Sequence, residues 1–163
     1  MTGGWREMRA TDLDAVVAIS DAVHGAFTEP RTVYAERLDL YPAGCRVYER
    51  DGAIAGFLVT HPWHSGAVPK LGALLGEIPA PAEIYYLHDI ALLPGARGVG
   101  AGAEATAFVD EQARRAACRE IRLVAVNGAD SYWRTQGFEE IAPGQTGPYG
   151  PGSYLMRSLV STR

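Results

Sequence analysis

The chain has 163 residues, a hydrophobic content of 47% and a formal net charge of −4, which is typical of one globular domain over residues 1–163. It has no long basic run, so a nucleic-acid partner is not expected. No apolar run reaches the ~18 residues that cross a membrane and no signal-peptide core is seen, so we expect a cytoplasmic protein without a membrane partner. The Ala- and Gly-rich composition favours a bacterial source.

The first 63 residues predict a strand, two helices and a hairpin. Thr11 or Asp12 can cap the first helix, whose apolar residues recur on one face. Pro30 lies near the start of the second helix, where proline is favoured. The pair Asp51–Gly52 between two strand-like runs is a hairpin signal. The predicted bounds are a strand at 5–9, helices at 10–27 and 29–44, and strands at 45–50 and 53–63.

The remaining residues predict a long loop followed by strands and helices in alternation. The loop is rich in Gly and Pro and has no sustained period, so we interpret it as a lid or binding loop, with one helical turn around Leu71 to Leu75. There is no internal repeat or linker, and the order indicates a mixed α/β domain. The predicted bounds are a loop at 64–83, strands at 83–93 and 119–126, helices at 99–117 and 127–136, and strands at 137–142 and 152–159.

The stretch that follows the central strand, "IALLPGARGVGAGAEA" at 90–105, brings three glycines to the start of a helix. Helix N-termini carry free N–H groups and a partial positive charge that bind phosphates, and glycine lets a phosphate approach them. Arg97 adds a permanent positive charge. We therefore predict that 97–102 holds a pyrophosphate; the alternative is a glycine-rich turn that only packs the helix against a strand.

Two phosphate-loop patterns compete for this stretch. Gly98, Gly100 and Ala103 fit the dinucleotide pattern G-x-G-x-x-A, and Glu120 lies about twenty residues on. However, the dinucleotide fold needs its acid at the carboxyl end of the next strand, whereas Glu120 begins the predicted strand. No βαβ unit precedes the loop, and the lone pattern is weak. A nucleotide-binding module is therefore the least favoured interpretation.

The second pattern, R-x-x-G-x-G, is filled by Arg97, Gly100 and Gly102, and here the sequence resembles the GNAT superfamily of acyl-CoA-dependent N-acyltransferases. "IALLP" resembles the family strand before the loop, and "NGADSYWRTQGF" resembles its segment after the next strand. The strand order agrees from "WREMR" to "GSYLMRSL", with the specific motifs between Glu83 and Phe138. The resemblance implies a mixed α+β fold: a mostly antiparallel sheet of about six to seven strands with a splayed parallel pair, flanked by about four helices.

The resemblance also implies acetyl-CoA, or a longer acyl-CoA, as cosubstrate, bound where the strands at 83–93 and 119–126 splay apart. Backbone groups of the first strand would pair with the pantetheine arm, the glycine loop would hold the pyrophosphate, and an N–H near Leu92 would polarise the acyl carbonyl. The amine attacks the thioester directly, so no metal is expected. The implied binding residues are Ile90, Ala91, Leu92, Arg97, Gly98, Val99, Gly100, Ala101, Gly102 and Asn127.

For the general acid, the family often uses a tyrosine four residues before the glycine of "GF". Trp133 occupies that position here, and an indole cannot serve as an acid. Its neighbour Tyr132 is the candidate acid, with a packing role as the alternative. A thiol with a pKa near 8.5 is a tolerable leaving group, so a mechanism without a dedicated acid is a further alternative.

For the general base, a strand period of two places His88 on the same face as Leu92. Histidine is the residue type suited to general base catalysis, so His88 ranks first, with a purely structural histidine as the alternative. Asp89 ranks second because it points to the opposite face unless a β-bulge intervenes, and bulges are common beside active sites. Glu83 ranks third, as a base that acts through water.

Other chemistry-bearing residues give weaker signals. Cys45 and Cys118 lie far apart and lack metal-ligand spacing, so we expect two buried thiols. His61 and His64 have no acidic neighbour, so they do not indicate a metal site. We expect the acceptor side to be walled by aromatic and histidine residues of two loops, namely Trp63, His64, Tyr149 and Tyr154; ordinary surface aromatics are the alternative.

The sequence thus predicts an enzyme that transfers an acyl group, with acetyl as the first expectation, from acyl-CoA to a primary amine of a small molecule or peptide. A non-catalytic acyl-CoA-binding or sensor domain on the same fold is the alternative, because Trp133 replaces the usual acid. Family members often dimerise, which leaves a homodimer open. The acceptor itself is not readable from the sequence.

Overall fold

Seven strands form one sheet in the order β1-β2-β3-β4-β5-β7-β6 in the computed structural model, which describes residues 3–161. Neighbouring strands of this described sheet are antiparallel except for β4 and β5, which are parallel. The elements are β1 Gly3–Glu7, α1 Leu13–His24, α2 Arg31–Leu40, β2 Cys45–Arg50, β3 Ala53–Trp63, β4 Ile84–Leu92, α3 Ala101–Arg115, β5 Glu120–Ala125, α4 Asp130–Thr135, β6 Glu139–Glu140 and β7 Tyr154–Leu159. The predicted mixed α+β fold is confirmed.

The hairpin of β2 and β3 has the predicted bounds. Asp51 and Gly52 at its tip have φ angles of 53° and 79°, and a two-residue turn with both central residues in the left-handed region matches the twist of the flanking strands. A non-glycine residue there is best tolerated when it is Asp or Asn, since their short polar side chains bond locally. The local sequence therefore determines this turn.

The first predicted helix is shorter than expected. Residues 10–12 and 25–27 form 3-10 turns on either side of α1, and the helix ends at Gly25, whose φ of 55° and ψ of −116° suit glycine. Neither Thr11 nor Asp12 caps the helix with its side chain. The Asp12 carboxylate instead accepts hydrogen bonds from the Arg9 amide and the Arg6 guanidinium. The predicted helical turn around Leu71 to Leu75 is also wrong, because the chain makes only a turn at Leu71 and Gly72 there.

Helices cover both faces of the sheet. Helices α1 and α2 pack on one face around a core that includes Val16, Tyr34, Phe57 and Val59. Helix α3 and the α4 indole pack on the other face, in a core whose main members are Val109, Ala113, Leu123, Trp133, Phe138 and Met156. Burying one such large apolar side chain stabilises the fold by about 1.5–3 kcal/mol. No helix in the span 3–161 is long and apolar enough to cross a membrane.

A β-bulge interrupts the pairing of β4 with β3. Val59 pairs with Asp89 and Thr60 pairs with Leu87, so His88 is an extra residue on β4. In such a bulge, two residues on one strand lie opposite one residue on the other strand. The alternation of side chains between the two faces of the sheet is therefore interrupted at that point. His88 and Asp89 consequently both face the side of α1 and α2.

The parallel pair β4–β5 separates at the same point. Tyr85 to Leu87 on β4 pair with Ile121 to Leu123 on β5, and beyond these residues the two strands no longer pair with each other. The carboxyl halves of both strands therefore present free backbone groups towards a gap, which opens the sheet directly beside the bulge.

Candidate active site

A cleft of about 500 Å³ occupies the gap between β4 and β5. Its lining runs from Arg97, in the loop that precedes α3, past the bulge on β4 to Leu71 in the loop at 64–83. The residues that line it include His24, Phe27, Glu29, Leu71, His88, Asp89, Ile90, Arg97, Asn127, Tyr132, Trp133 and Tyr149. Clefts of this size at the open end of a splayed strand pair are large enough for a substrate.

The glycine loop leaves the N-terminus of α3 open. Gly98 and Gly100 have φ angles of 74° and 88°, and a Cβ added to either would have no atom within 4 Å. Gly100 is the N-cap of α3, so no side chain caps the first N–H groups of this 15-residue helix. The Trp5 indole braces this turn by donating to the Ala101 carbonyl at 2.9 Å. The arrangement suits a bound anion, since helix N-termini attract negative charge.

Arg97 lies at the rim of the cleft as predicted, but its guanidinium folds back onto β4. Its Nε donates to the carbonyl oxygen of Leu92 at 3.0 Å. This contact fixes the side chain at the junction between the strand and the glycine loop. Arg97 thus places a permanent positive charge between the two backbone segments.

His24 and Tyr34 converge on Asp89 at the bulge. The His24 Nε2 lies 2.5 Å from Asp89 Oδ1, and the Tyr34 hydroxyl donates to Asp89 Oδ2 at 2.7 Å. Burial disfavours the charged imidazole, but the hydrogen bond and charge of Asp89 outweigh it, and the pKa of His24 is raised. Burial and the adjacent Asp89 charge raise the pKa of Tyr34. The site therefore holds a carboxylate between an imidazole and a neutral phenol.

His88 forms a second carboxylate–imidazole pair with Glu29. The distance from His88 Nε2 to Glu29 Oε1 is 2.6 Å, and the side chains are 0% and 4% exposed. Burial works against the ionised carboxylate, but the hydrogen bond and charge of His88 and the amide of Gly72 lower the pKa of Glu29. The other ring nitrogen, His88 Nδ1, is buried and has no hydrogen-bond partner among the described residues.

The predicted face of His88 is wrong, and the reason is the bulge. Ile90 packs with the α3 core, and Leu92 packs with Ala101 at the start of α3. His88 instead contacts Glu29, on the α1 and α2 side. Asp89 joins it on that side, as expected for a bulged strand.

Tyr132, Trp133 and Asn127 occupy the opposite wall of the cleft. The Trp133 indole is buried and packs edge-on against Phe138, with ring centroids 5.3 Å apart. Tyr132 is 42% exposed, and its hydroxyl lies over the first turn of α3, 2.6 Å from where a Cβ on Gly102 would be. The Asn127 amide donates to the His24 carbonyl at 3.3 Å and so links the end of β5 to the end of α1.

Of the four residues predicted to wall the acceptor side, one lines the cleft. Tyr149 lines the cleft, and burial raises the pKa of its phenol to about 12. Trp63 and His64 stack on each other, with centroids 4.7 Å apart, and do not line the cleft; neither does Tyr154. Glu83 also lies outside it, where its carboxylate accepts a hydrogen bond from the Ser65 amide.

The cysteines and the remaining histidines form no metal centre in the structure from residue 3 to 161. Cys45 and Cys118 are free and buried, as predicted, and burial raises the pKa of the Cys45 thiol to about 12. His61 is buried on β3, where burial lowers its pKa to about 3.

Sequence reasoning missed His24, Glu29 and Tyr34. Each lies 55 to 65 residues away along the chain from the β4 residue that it contacts. The one local signal was the position of His24 in the last turn of a helix, where a cationic side chain is stabilised. The position of His24 did not indicate which carboxylate its imidazole would contact.

Comparison with known proteins gives one family. The sequence profile of the "Acetyltransferase (GNAT) family" matches residues 14–138. The ribosomal-protein-S18-alanine N-acetyltransferase from Escherichia coli has a similar structure (TM-score 0.69, 16% identity, 99% of this chain and 96% of that one). The loading GNATL domain of CurA from Lyngbya majuscula is also similar (TM-score 0.78, 13% identity, 100% of this chain and 100% of that one). The GphF GNAT-like decarboxylase in complex with isobutyryl-CoA is similar as well (TM-score 0.76, 18% identity, 97% of this chain and 100% of that one). No curated protein matches the sequence.

Proposed function

The chain belongs to the GNAT acetyltransferase family, and we propose that it transfers an acyl group, with acetyl as the first expectation, from acyl-CoA to a primary amine. The observation that carries this proposal is the coincidence of three features in one cleft. The parallel strands separate beside the bulge, Arg97 of the loop that precedes α3 lines the cleft, and Asp89 lines the same cleft.

The residues of the cleft fit an acyl-CoA. The edge of Ile90, Ala91 and Leu92 that faces β5 has no strand partner and can bind the pantetheine arm as an added strand. The loop from Arg97 to Gly102 can hold the pyrophosphate, because the left-handed glycines keep side chains out of the space in front of α3. When bound, acyl-CoA supplies an electrophilic thioester carbonyl.

Asn127 and the end of β4 complete the proposed binding site. The Asn127 amide lies across the cleft from β4, at the end of β5, where it can hydrogen-bond the arm from the second side. A backbone N–H near Leu92 can polarise the acyl carbonyl, which is the role of an oxyanion hole. The Arg97 contact to the Leu92 carbonyl fixes the strand end that presents this group.

The acceptor nitrogen attacks the thioester carbon, the carbon–sulfur bond breaks, and the ammonium proton must leave. We propose that the Asp89–His24 pair accepts this proton. Both His24 and His88 line the cleft, but the His24 side chain is 14% exposed, whereas the His88 side chain is fully enclosed and bonded to Glu29. A positioned base accelerates such steps by about 10²–10⁴-fold. His88 remains the competing base.

The departing CoA thiolate needs less help from the protein than the deprotonation of the amine does. A thiol with a pKa near 8.5 leaves without a strong acid at neutral pH. Tyr132 remains the candidate acid, because the residue is 42% exposed and lines the cleft. Trp133 has no such role, since its indole is committed to the core.

The test is release of free CoA thiol from acetyl-CoA with a panel of amines, using wild type and Asp89→Asn. We expect Asp89→Asn to lower kcat by about 10²-fold or more with an unchanged Kd for acetyl-CoA. Asp14→Asn, which changes an exposed carboxylate on α1, is the control and should keep full activity. Equal activity of the wild type and Asp89→Asn would remove Asp89 from the mechanism.

A second candidate function is a non-catalytic acyl-CoA-binding domain. It is favoured by Trp133, which fills the usual acid position with a buried indole. Binding of acetyl-CoA without thiol release from any amine class would support this alternative and contradict the proposed transfer.

A further inference from the structure

One end of the cleft differs in character from the rest. The wall formed by β5, α4 and the glycine loop faces the proposed acyl-CoA. Beyond the bulge lies a second part, which we name the acceptor half and define by Phe27, Glu29, Leu71, His88 and Tyr149. Because this division depends on where acyl-CoA would lie, the acceptor chemistry inferred from it rests on the proposed function.

The loop at 64–83 covers the acceptor half as a roof. The Gly72 amide donates to Glu29 Oε2 at 2.8 Å, which ties the roof to the residue that holds His88. On the other side, the Tyr149 hydroxyl donates to the Pro69 carbonyl at 3.3 Å. The roof is therefore attached at both walls of the acceptor half.

Helix α2 holds the roof from behind. The Glu36 carboxylate accepts hydrogen bonds from the amides of Leu75 and Gly76 at 2.7 and 2.9 Å. The Arg37 guanidinium, only 1% exposed, donates to the Ala73 carbonyl at 3.1 Å. A long peptide would have to displace these contacts to pass under the roof, whereas a small molecule would not.

The lining of the acceptor half is apolar around an acidic floor. Phe27 and Leu71 supply apolar surface. The floor consists of the Glu29 carboxylate and, at the border of this half, the Asp89 carboxylate, each hydrogen-bonded to an imidazole. Among the described residues, no lysine or arginine lines this half, since Arg97 lies at the other end of the cleft. A single ammonium group is attracted to the floor. A carboxylate next to the amine would meet like charge, and a second ammonium would lie against apolar side chains.

We propose that the acceptor is a small apolar monoamine without a carboxylate: a primary amine on an aliphatic or aromatic group that fills the space between Phe27 and Leu71. The amine then lies next to Asp89, and the apolar group lies under the roof. Amino acids, polyamines and peptide N-termini each violate one feature of the acceptor half.

The test compares four acceptors at fixed acetyl-CoA by thiol release. Phenethylamine has the proposed chemistry, phenylalanine adds a carboxylate, spermidine adds further ammonium groups, and a pentapeptide with N-terminal phenylalanine adds a chain. We expect kcat/KM for phenethylamine to exceed each of the others at least tenfold. A higher value for any of the other three would overturn the proposal while leaving the acyl transfer intact. No thiol release with any acceptor, despite acetyl-CoA binding, would instead overturn the proposed function.

A pair of roof variants tests the same point within the protein. Leu71→Asp adds a charge to the acceptor half, whereas Leu74→Asp adds the same charge to a 60% exposed roof residue that does not line the cleft. We expect Leu71→Asp to lower kcat/KM for phenethylamine at least fivefold and to reduce the ratio of kcat/KM for phenethylamine to that for spermidine. Leu74→Asp should change neither kcat/KM for phenethylamine nor this ratio. Equal effects of the two variants would contradict the assigned acceptor half.

Discussion

The Nε2 atom of His24 lies 2.5 Å from Oδ1 of Asp89, a contact that joins the last residue of α1 to the bulged strand β4. It places an imidazole and a carboxylate together at the point where the parallel strands separate. Neither side chain could reach the other if β4 kept a regular period of two, because Asp89 would then face away from α1. The bulge is therefore what assembles the candidate site.

His24→Gln tests whether this contact supports catalysis. We expect kcat to fall about tenfold or more, because Asp89 loses the imidazole that shares its proton, while the Kd for acetyl-CoA stays the same. Steady-state kinetics together with a binding titration measure both. His88→Gln is the comparison variant, since it removes the enclosed imidazole of the second pair. A larger loss in His88→Gln than in Asp89→Asn, greatest at low pH, would assign the base to His88 instead.

The same pair predicts a pH dependence of stability. The pKa of His24 is raised in the folded protein, so the protonated imidazole adds stability that is fully present below its unfolded pKa near 6.5. That stability is lost as the pH rises through the higher folded pKa. We expect urea unfolding to show a larger free-energy difference between wild type and His24→Gln at pH 6 than at pH 9. A difference independent of pH would contradict a charged His24–Asp89 pair.

His61 predicts the opposite trend. Burial lowers its folded pKa to about 3, so below pH 6.5 the unfolded chain binds a proton that the folded protein does not. Stability is therefore lost as the pH falls from 6.5 towards 3, by up to about 1.4 kcal/mol per pH unit from this residue. We expect His61→Gln to lose less stability than wild type between pH 6.5 and pH 4 in urea unfolding. Parallel losses would show that His61 is protonated in the folded protein.

Two adjacent residues of α4 should separate stability from activity. Trp133→Ala removes a buried indole from the α3 core and should cost about 3–5 kcal/mol of unfolding free energy. Tyr132→Phe removes one exposed hydroxyl and should change stability by no more than about 0.5 kcal/mol. Thermal unfolding measures both. If Tyr132 is the acid, Tyr132→Phe lowers kcat without a loss of unfolding free energy. An unchanged kcat would show that the thiolate leaves without the Tyr132 hydroxyl.

Features encoded within a few residues could be predicted from the sequence. The turn at Asp51–Gly52 and the glycines around α3 depend on local backbone conformation, and both are found as expected. The strand order followed from the resemblance. The hydrogen bonds of His24 and Glu29 could not be predicted, because each joins residues about 60 positions apart. Their formation depends on how α1 and α2 pack on the sheet.

The bulge shows the same limit at a single position. Alternation along β4 predicted that His88 would share a face with Leu92, and one unpaired residue was enough to reverse that relation. Nothing in the local sequence of β4 marks which residue is extra. The roof contacts of Glu36 are equally non-local, since they join α2 to a loop about forty residues away.

Binding of acetyl-CoA to the open N-terminus of α3 is the central claim, and a thermal-shift titration tests it most directly. Gly100→Ala and Gly52→Ala each place a Cβ at a left-handed position with no atom within 4 Å, so each should cost about 1 kcal/mol of stability. We predict that increasing concentrations of acetyl-CoA raise the melting temperature of the wild type and of Gly52→Ala. Gly100→Ala should need at least tenfold more acetyl-CoA for the same shift in melting temperature, and NAD should cause no shift. No shift with acetyl-CoA, a shift with NAD, or equal affinity of the two glycine variants would contradict it.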